Sequence, residues 1–283
     1  MPGQPQESAD AGPASSRVDG PAAGSVPPLE LRGVSYLYAT EGGEAAGVAD
    51  VSFTLQKGRL LSVVGPSGCG KSTLLAVAAG LLRGYEGSVL VNGSPVRSPR
   101  ADVGVVFQEE STFPWRTARR NVEFGLQMRG VPKAERRARA QEILELVGLR
   151  GFEDHYPRQL SGGMRQRVAI ARTVVTEPAV LLMDEPFGAL DEQTRETLGR
   201  ELLRLQVTLQ QTILFITHSI QEAVTLSDHV LVLSGRPGRP AEIIDVDLPR
   251  PRPENLITLP RFAEIVDRVW HLVHEGPALN MAH

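Results

Sequence analysis

The sequence predicts an α/β fold in which parallel strand and helix units are interrupted by a helical insertion. Short apolar runs bounded by turn residues begin at Leu29, as strands usually do. Helical patterns then dominate from about Val131 to Val175. Strand-like runs return after that segment and alternate with helical stretches, which is typical of a parallel sheet.

Composition narrows the class of protein. A chain of 283 residues with 41% hydrophobic residues suits one large globular domain or two smaller ones. It has neither a long apolar span nor a signal-peptide pattern, so we expect it in the cytoplasm. Its net charge of -3 gives no overall attraction to nucleic acid, so we expect no nucleic-acid partner. The single cysteine, Cys69, cannot form an internal disulfide, which fits a reducing compartment.

The individual elements follow from local patterns. Residues 1–28 are rich in Pro, Gly, Ala and Ser, and we expect a disordered tail there. We predict strands at the runs LELRGVSYLY, DVSFTL, RLLSVVG, GSVLVNG, VGVVFQ, AVLLMD, TILFIT and HVLVLS. The run PKAERRARAQEILELVGL predicts a helix with Ile143, Leu144, Leu146 and Val147 on one apolar side.

A glycine-rich loop follows one of these strands. In VVGPSGCGKST, Gly65 is followed after four residues by Gly70, Lys71 and Ser72, with a strand before the loop and a helix after it. Such glycines let successive N–H groups point at phosphate oxygens, while the lysine can reach the terminal phosphates and the serine hydroxyl can ligate Mg2+. We therefore predict that the following residues bind a nucleotide phosphate chain: Gly65, Pro66, Ser67, Gly68, Cys69, Gly70, Lys71, Ser72 and Thr73.

An acidic pair ends the apolar run AVLLMDEP. Two adjacent acids are common in turns, but downstream of a phosphate-binding loop they suit two distinct roles. Asp184 would hold Mg2+ through its water shell, and Glu185 would polarise a water for attack on the γ-phosphate. The pair therefore points to ATP hydrolysis.

A third motif, LSGGMRQRVAIART, places Ser161, Gly162 and Gly163 at the start of a helix. Helix N-termini attract anions, so this segment is a second candidate phosphate site. Together, the three motifs resemble those of ATP-binding cassette (ABC) ATPases, the nucleotide-binding subunits of ABC transporters. The resemblance covers about residues 29–250. It implies a P-loop NTPase core of mainly parallel sheet, an antiparallel N-terminal β subdomain and a helical subdomain inserted at about residues 109–175.

The resemblance also implies roles for single residues. It implies a head-to-tail dimer in which Ser161, Gly162 and Gly163 of one copy cover the ATP held by the other. Gln108 matches the family's glutamine that contacts Mg2+ and the attacking water, and Asp191 in GALDEQT matches the aspartate at the dimer interface. His218 in FITHS matches the histidine that contacts the γ-phosphate. Tyr38 matches the aromatic residue that stacks on adenine, with Tyr36 as the alternative on the same side of the strand.

Several segments resemble the ATPases of nitrate, sulfonate and taurine importers: FPWRT, PFGALDEQTR and SGRPGRPAEIIDVDLPRPRP. This implies a separate transmembrane permease, an extracytoplasmic solute-binding protein and a peripheral position on the cytoplasmic face of the inner membrane. The transported solute stays open, because solute contacts the other subunits. The segment Phe113–Trp115, with arginines nearby, has the composition of a protein interface and is our candidate permease contact. Alternatively, Phe113 and Trp115 pack under their loop.

The segment 251–283 comprises a linker and an amphipathic helix. Six apolar residues at helical spacing predict one apolar face: Phe262, Ile265, Val266, Val269, Trp270 and Val273. We expect this face to pack on the domain, with a partner site as the alternative.

Other functional classes share part of this pattern. A chromosome-maintenance ATPase would normally insert a coiled coil or a zinc module, and the sequence has neither a heptad run nor a second cysteine. A metabolite kinase would not need LSGGMRQR, and a non-catalytic nucleotide-binding module would not need both Glu185 and His218. An ATPase that uses ATP and Mg2+ is therefore the favoured interpretation.

Overall fold

The structure is a computed structural model that describes residues 26–38, 46–108 and 112–276. The described residues do not include positions 1–25 of the predicted tail or positions 277–283. They also do not include positions 109–111, with which the predicted helical subdomain begins. The strands are β1 (Leu29–Tyr38), β2 (Ala46–Leu55), β3 (Leu60–Val64), β4 (Glu86–Val91), β5 (Ser94–Pro95), β6 (Val103–Val106), β7 (Val180–Asp184), β8 (Ile213–Ile216), β9 (His229–Ser234) and β10 (Arg239–Asp245). The helices are α1 (Lys71–Ala78), α2 (Ala118–Met128), α3 (Lys133–Leu146), α4 (Gly162–Val174), α5 (Glu192–Leu209), α6 (Ile220–Leu226) and α7 (Pro260–Glu275).

The first sheet has the order β2-β1-β4-β5, and its neighbouring strands are antiparallel. Alternate residues of β1 point into the core, among them the buried Leu29 and Leu31. β2 begins at Ala46, earlier than the predicted DVSFTL, because Ala46 already pairs with Tyr38. The antiparallel N-terminal β subdomain implied by the family resemblance is thus confirmed.

The second sheet has the order β10-β9-β3-β8-β7-β6 and is parallel except for the β10–β9 pair. β3 and β8 are buried along their whole length, as expected for parallel strands covered on both faces. The predicted mainly parallel core is confirmed. Because these strands run in one direction, the carboxyl ends of β3, β6, β7 and β8 lie along one edge.

Helix α2 begins earlier than the sequence patterns indicated, since we expected helical structure from about Val131. The side chain of Thr117 caps α2 by accepting a hydrogen bond from the N–H of Arg120, 3.3 Å away. The fully buried Asn121 donates to three backbone carbonyls, those of Phe113, Arg116 and Thr117. Polar Asn121 therefore belongs to the buried face, which hid the helical period in the sequence. No helix in the described ranges is long and apolar enough to cross a bilayer.

The inserted helices share a hydrophobic core with the main sheet. Leu144 of α3 and Val168 of α4 belong to one buried cluster with Met183 of β7 and Phe215 of β8. The prediction that Leu146 lies on the buried side of α3 is wrong, because this side chain is 38% exposed. Leu146 is two residues beyond Leu144, which places it about 200° around the helix.

Helix α7 packs on the domain through Phe262, Ile265 and Val269, which join a cluster with α6 and β9. Packing on the domain, the favoured alternative for this helix, is what the structure shows. Placing Trp270 on the same buried face is wrong, because its side chain is 44% exposed. Trp270 follows Val269 directly and therefore lies about 100° around the helix from it.

Candidate nucleotide-binding site

The predicted site residues lie along the carboxyl edge of the parallel sheet. The phosphate-binding loop follows β3, and β7 ends at Asp184. Gln108 and His218 each lie two residues beyond the ends of β6 and β8. In α/β sheets, ligands bind in the crevice at this edge. The parallel topology thus brings together residues that are far apart in the chain.

The loop presents the N-terminus of α1 without a protein side chain to cap it. Gly70 takes the N-cap position with a left-handed backbone, φ 95°, and carries no capping side chain. Lys71 is 7% exposed, and its Nζ donates to the carbonyls of Gly65 at 2.9 Å and Pro66 at 3.1 Å. A helix N-terminus without an N-cap side chain and a lysine folded over the loop together favour a bound phosphate.

Ser72 and Asp184 meet at the base of the loop. The Ser72 hydroxyl donates to Asp184 Oδ1 across 3.0 Å. Burial raises the pKa of Asp184, while the hydrogen bond from Ser72 and the charge of Lys71 oppose that change. A hydroxyl and a carboxylate oxygen are the donors that Mg2+ prefers. Of the three predicted metal ligands, these two are therefore adjacent and fit Mg2+ chemically.

Glu185 and His218 form a pair next to this position. His218 Nδ1 lies 3.0 Å from Glu185 Oε2, and the backbone of Glu185 has a φ of 43°. A left-handed backbone at a non-glycine residue is strained, and such strain concentrates at functional sites. The Glu185 N–H donates to the carbonyl of Ile216 at 2.9 Å, which holds the strained residue against β8.

The side chains of Gln108 and Glu185 both lie next to Gly188. A Cβ built on Gly188 would lie 3.5 Å from Gln108 Nε2 and 3.7 Å from Glu185 Oε2. The three residues predicted to be catalytic are therefore together: Glu185, His218 and Gln108. Gln108 is exposed at the end of its strand and can reach a ligand in the crevice.

A network around His218 was missed by the sequence interpretation. Glu222 accepts a hydrogen bond from the Thr217 hydroxyl, and that hydroxyl accepts one from the Ser219 N–H at 3.0 Å. The Ser219 side chain caps α6 by accepting from the Glu222 N–H at 3.3 Å. Burial raises the pKa of Glu222. The spacing of Ser219 and Glu222 is the S-x-x-E capping pattern, so the sequence did contain a signal for this network.

The LSGG segment lies at the N-terminus of α4, next to the start of α5. Ser161 caps α4 by accepting from the Met164 N–H at 3.3 Å. Asp191 caps α5 by accepting from the Thr194 N–H at 2.9 Å and from its hydroxyl at 2.7 Å, and these bonds lower the pKa of Asp191. A cleft of about 300 Å³ lies between the two helices, lined by Ser161, Gly163, Met164, Arg167, Gln193, Thr194 and Thr197. Among the residues that the structure describes, none from the phosphate-binding loop lines this cleft.

Comparison with known proteins identifies the family. Residues 48–188 match the ABC transporter family model. An uncharacterized ABC transporter ATP-binding protein of Methanocaldococcus jannaschii is 50% identical over 224 residues, which is 79% of this chain and 84% of the relative. The chain belongs to the ABC transporter ATP-binding family. It is an ATPase of that family, as the predicted motifs indicated.

Two further relatives of this ABC ATPase have named functions. The nitrate import ATP-binding protein NrtD of Synechocystis is 46% identical over 221 residues, covering 78% of this chain and 83% of the relative. The taurine import ATP-binding protein TauB of Rhizobium johnstonii is 43% identical over 260 residues, covering 90% of this chain and 99% of the relative. The predicted resemblance to this group of ABC ATPases is confirmed.

Solved ABC cassettes share the fold. The structure of cbiO1 from Clostridium perfringens, part of the ABC transporter complex cbiONQ, has a TM-score of 0.70 at 28% identity, covering 78% of this chain and 89% of that one. A dimeric ATP-binding cassette in a post-hydrolysis state, bound to ADP and Pi, has a TM-score of 0.65 at 32% identity, covering 77% of this chain and 98% of that one.

The two candidate adenine-stacking residues of the ABC ATPase differ in exposure. The rings of Tyr36 and Tyr38 lie edge to face with centroids 5.0 Å apart. Tyr36 packs against the core, whereas Tyr38 is 42% exposed. An exposed ring can stack on a base without rearrangement, so Tyr38 stays the predicted residue.

The aromatic residues of the candidate permease contact also differ from each other. Phe113 packs edge to face on Phe124 with centroids 4.7 Å apart, and the guanidinium groups of Arg116 and Arg172 lie over its ring at 5.7 Å and 5.0 Å. Trp115 is 71% exposed. Packing under the loop therefore describes Phe113, while Trp115 presents an aromatic surface to solvent.

Proposed function

We propose that this ABC ATPase powers solute import through a separate membrane permease, in the manner of the nitrate and taurine import relatives. The observation that carries the catalytic part is the Glu185–His218 pair beside the phosphate-binding loop, with Gln108 facing the same point. The observations that support the transport part are the two import relatives and the exposed Trp115.

Each catalytic side chain has a role that follows from its position. Lys71 and the N–H groups of the loop bind the phosphate chain of ATP. Glu185 accepts a proton from the attacking water, and Gln108 orients that water. His218 holds the Glu185 carboxylate and adds a donor for the γ-phosphate. Mg2+, when bound, would neutralise charge on the phosphates, and Ser72 and Asp184, with Gln108, are the residues that would hold it.

We assign the second half of each ATP site to another copy of the chain. Ser161 borders a cleft formed by α4 and α5, and this cleft is not lined by the described residues of the phosphate-binding loop. A phosphate bound in that loop would therefore be covered by the Ser161 of another copy. In a head-to-tail dimer, Ser161, Gly162 and Gly163 of one copy would cover the ATP bound by the other, with Asp191 at the interface. Solved dimers of a similar cassette at 32% identity support this arrangement.

The permease contact would be formed by Phe113–Trp115. Exposed aromatic residues near arginines are enriched at the centres of protein interfaces. Phe113 fixes the loop on α2, and Trp115 offers the exposed ring. In this proposal, the subunit lies on the cytoplasmic face of the inner membrane, with an extracytoplasmic solute-binding protein as an indirect partner. A small anion such as nitrate or a sulfonate is the proposed class of cargo.

The catalytic proposal is tested by Glu185→Gln. The variant should bind ATP normally but lose at least about a hundredfold in turnover, as expected when a general base is removed. We also expect it to accumulate as an ATP-bound dimer, which size-exclusion chromatography would detect. Glu196→Gln is the matched control, because Glu196 is an exposed acid on α5 that pairs only with Arg200 among the contacts described. Normal turnover in Glu185→Gln would refute the assignment.

The transport proposal is tested by Trp115→Ala. ATP hydrolysis by the isolated subunit should stay unchanged, whereas assembly with the permease or coupled uptake should weaken. Met128→Ala is a matched control, because Met128 is 70% exposed at the other end of α2. Unchanged assembly and uptake in Trp115→Ala would remove this contact from the proposal and leave the catalytic assignment intact.

A further inference from the structure

The turn between β9 and β10 contacts the phosphate-binding loop. Residues 235–238 connect the two strands, and they belong to the SGRPGRP segment that the catalytic mechanism does not use. Arg236 Nη2 donates to the backbone carbonyl of Ser67 at 2.5 Å. An arginine from a distant segment therefore binds the middle of the loop.

The guanidinium also covers the next residue of the loop. Gly68 has a left-handed backbone, φ 78°, and a Cβ built there would lie 3.2 Å from Arg236 Nη2, 3.3 Å from Cζ and 3.5 Å from Nε. These three guanidinium atoms are at similar distances from the Cβ position, so the guanidinium group packs against Gly68. A side chain at position 68 would crowd this guanidinium group.

This contact orients a single peptide group. In a planar trans peptide, the carbonyl oxygen and the following N–H point in opposite directions. Because the Ser67 carbonyl points at Arg236, the N–H of Gly68 points away from it. Consecutive N–H groups directed to one side form the anion-binding concavity of a phosphate-binding loop. A free carbonyl at Ser67 would otherwise be able to rotate toward the phosphates and repel them.

The turn itself is held firmly in place. The Gly238 N–H donates to the carbonyl of Gly47 at 2.9 Å, and the Ala49 N–H donates to the carbonyl of Gly238 at 2.9 Å. A Cβ on Gly238 would lie 2.1 Å from the carbonyl oxygen of Cys69, so the turn touches the loop backbone directly. Arg236 therefore extends from a fixed support, which is what a positioning residue requires.

We propose that Arg236 is a further residue of the nucleotide site, which fixes the Ser67–Gly68 peptide for phosphate binding and adds a positive charge beside the loop. The inference deepens the proposed function and rests on its nucleotide site, not on its permease contact. The ligand is the phosphate chain of ATP. Arg236 acts through the loop backbone and is a positioning residue.

The experiment compares Arg236→Ala with Arg239→Ala in the full chain. Arg239 is an exposed arginine of the same hairpin, so its loss removes the same charge without touching the loop. Equilibrium binding of a non-hydrolysable ATP analogue with Mg2+ is measured by calorimetry, and steady-state hydrolysis gives KM and kcat. We expect Arg236→Ala to weaken binding and raise KM by about tenfold, the change that corresponds to ~1.4 kcal/mol. Turnover at saturating ATP should fall by no more than about threefold. The lost interaction would stabilise bound ATP and the transition state equally, so its loss affects KM rather than kcat.

A conservative variant separates positioning from a general structural effect. Arg236→Lys keeps a charged donor for the Ser67 carbonyl. Because charge-assisted hydrogen bonds are strong, this variant should bind the ATP analogue with an affinity within about threefold of that of the wild type. Arg236 is exposed, so the melting temperature without nucleotide should be the same in all variants. Equal affinities for Arg236→Ala and Arg239→Ala, or no rescue by Arg236→Lys, would overturn the inference. Failure of the wild-type chain to bind the analogue would instead overturn the proposed function.

Discussion

Replacing Arg252 with methionine tests how the C-terminal segment is attached to the ATPase domain. The Arg252 guanidinium donates to the carbonyls of Leu248 at 2.7 Å and Thr225 at 3.0 Å, and also to that of Ser227. Thr225 and Ser227 lie at the end of α6, the helix that begins just after His218. Arg252 therefore supplies donors to helix carbonyls that lack partners within the helix.

The expected loss of stability follows from which carbonyls are buried. Ser227 is fully buried and Leu248 is 7% exposed, whereas water can reach the half-buried Thr225. Each buried acceptor left without a donor costs about 1–3 kcal/mol. Burial lowers the pKa of Arg252 to about 10, which shows that burying the charge is itself unfavourable and offsets part of the gain. We therefore expect Arg252→Met to reduce the free energy of unfolding by about 2–3 kcal/mol.

Differential scanning calorimetry measures this effect. In a domain of this size, ~1 kcal/mol shifts the melting temperature by about 2–4 °C, so we expect a decrease of roughly 4–12 °C. Arg261→Met is the matched control, because Arg261 pairs with Asp247 and Glu264 on the surface, where solvent screens ion pairs and leaves them little effect on stability. Equal melting temperatures for the two variants would refute the argument that Arg252 stabilises through buried carbonyls.

Three further predictions concern the core, the loop and the network around His218. Leu144→Ala should lower the free energy of unfolding by about 2–5 kcal/mol in urea titrations, because Leu144 is fully buried, while exposed Leu146→Ala should cost under about 1 kcal/mol; equal losses would contradict the assigned faces of α3. Burial raises the pKa of the Cys69 thiol, so iodoacetamide at about pH 8 should modify it far more slowly in the folded than in the unfolded chain, as mass spectrometry would show. Because burial also raises the pKa of Glu222, the folded state binds that proton more tightly, and stability should fall as the pH rises above about 4. Glu222→Gln stays neutral, so its melting temperature should exceed that of the wild type at about pH 8 and match it near pH 4, and parallel pH profiles would contradict this.

Most of the site follows from local sequence because each part of it is a contiguous motif. A phosphate-binding loop needs its glycines, Lys71 and Ser72 at set spacing, so the motif identifies those residues without a structure. The acidic pair at Asp184 and Glu185 ends an apolar strand, and alternating strand and helix patterns predicted the parallel sheet that places it near the loop. The residues missed by the prediction act through other residues of the chain. Glu222 acts through Thr217, and Arg236 acts through Ser67, which is 169 residues away in the chain.

By itself, the sequence determined the fold class, the family and the candidate nucleotide-binding residues, because local periodicity and motif spacing encode them. Only the tertiary structure decided which of two similar side chains packs against the domain, such as the half-buried Phe113 rather than the exposed Trp115, and where α2 begins. It also decided that Arg236 binds the phosphate-binding loop and that Arg252 binds the end of α6. These facts depend on contacts between segments remote in the chain, and the register of such contacts is set by packing of the whole domain rather than by any local pattern.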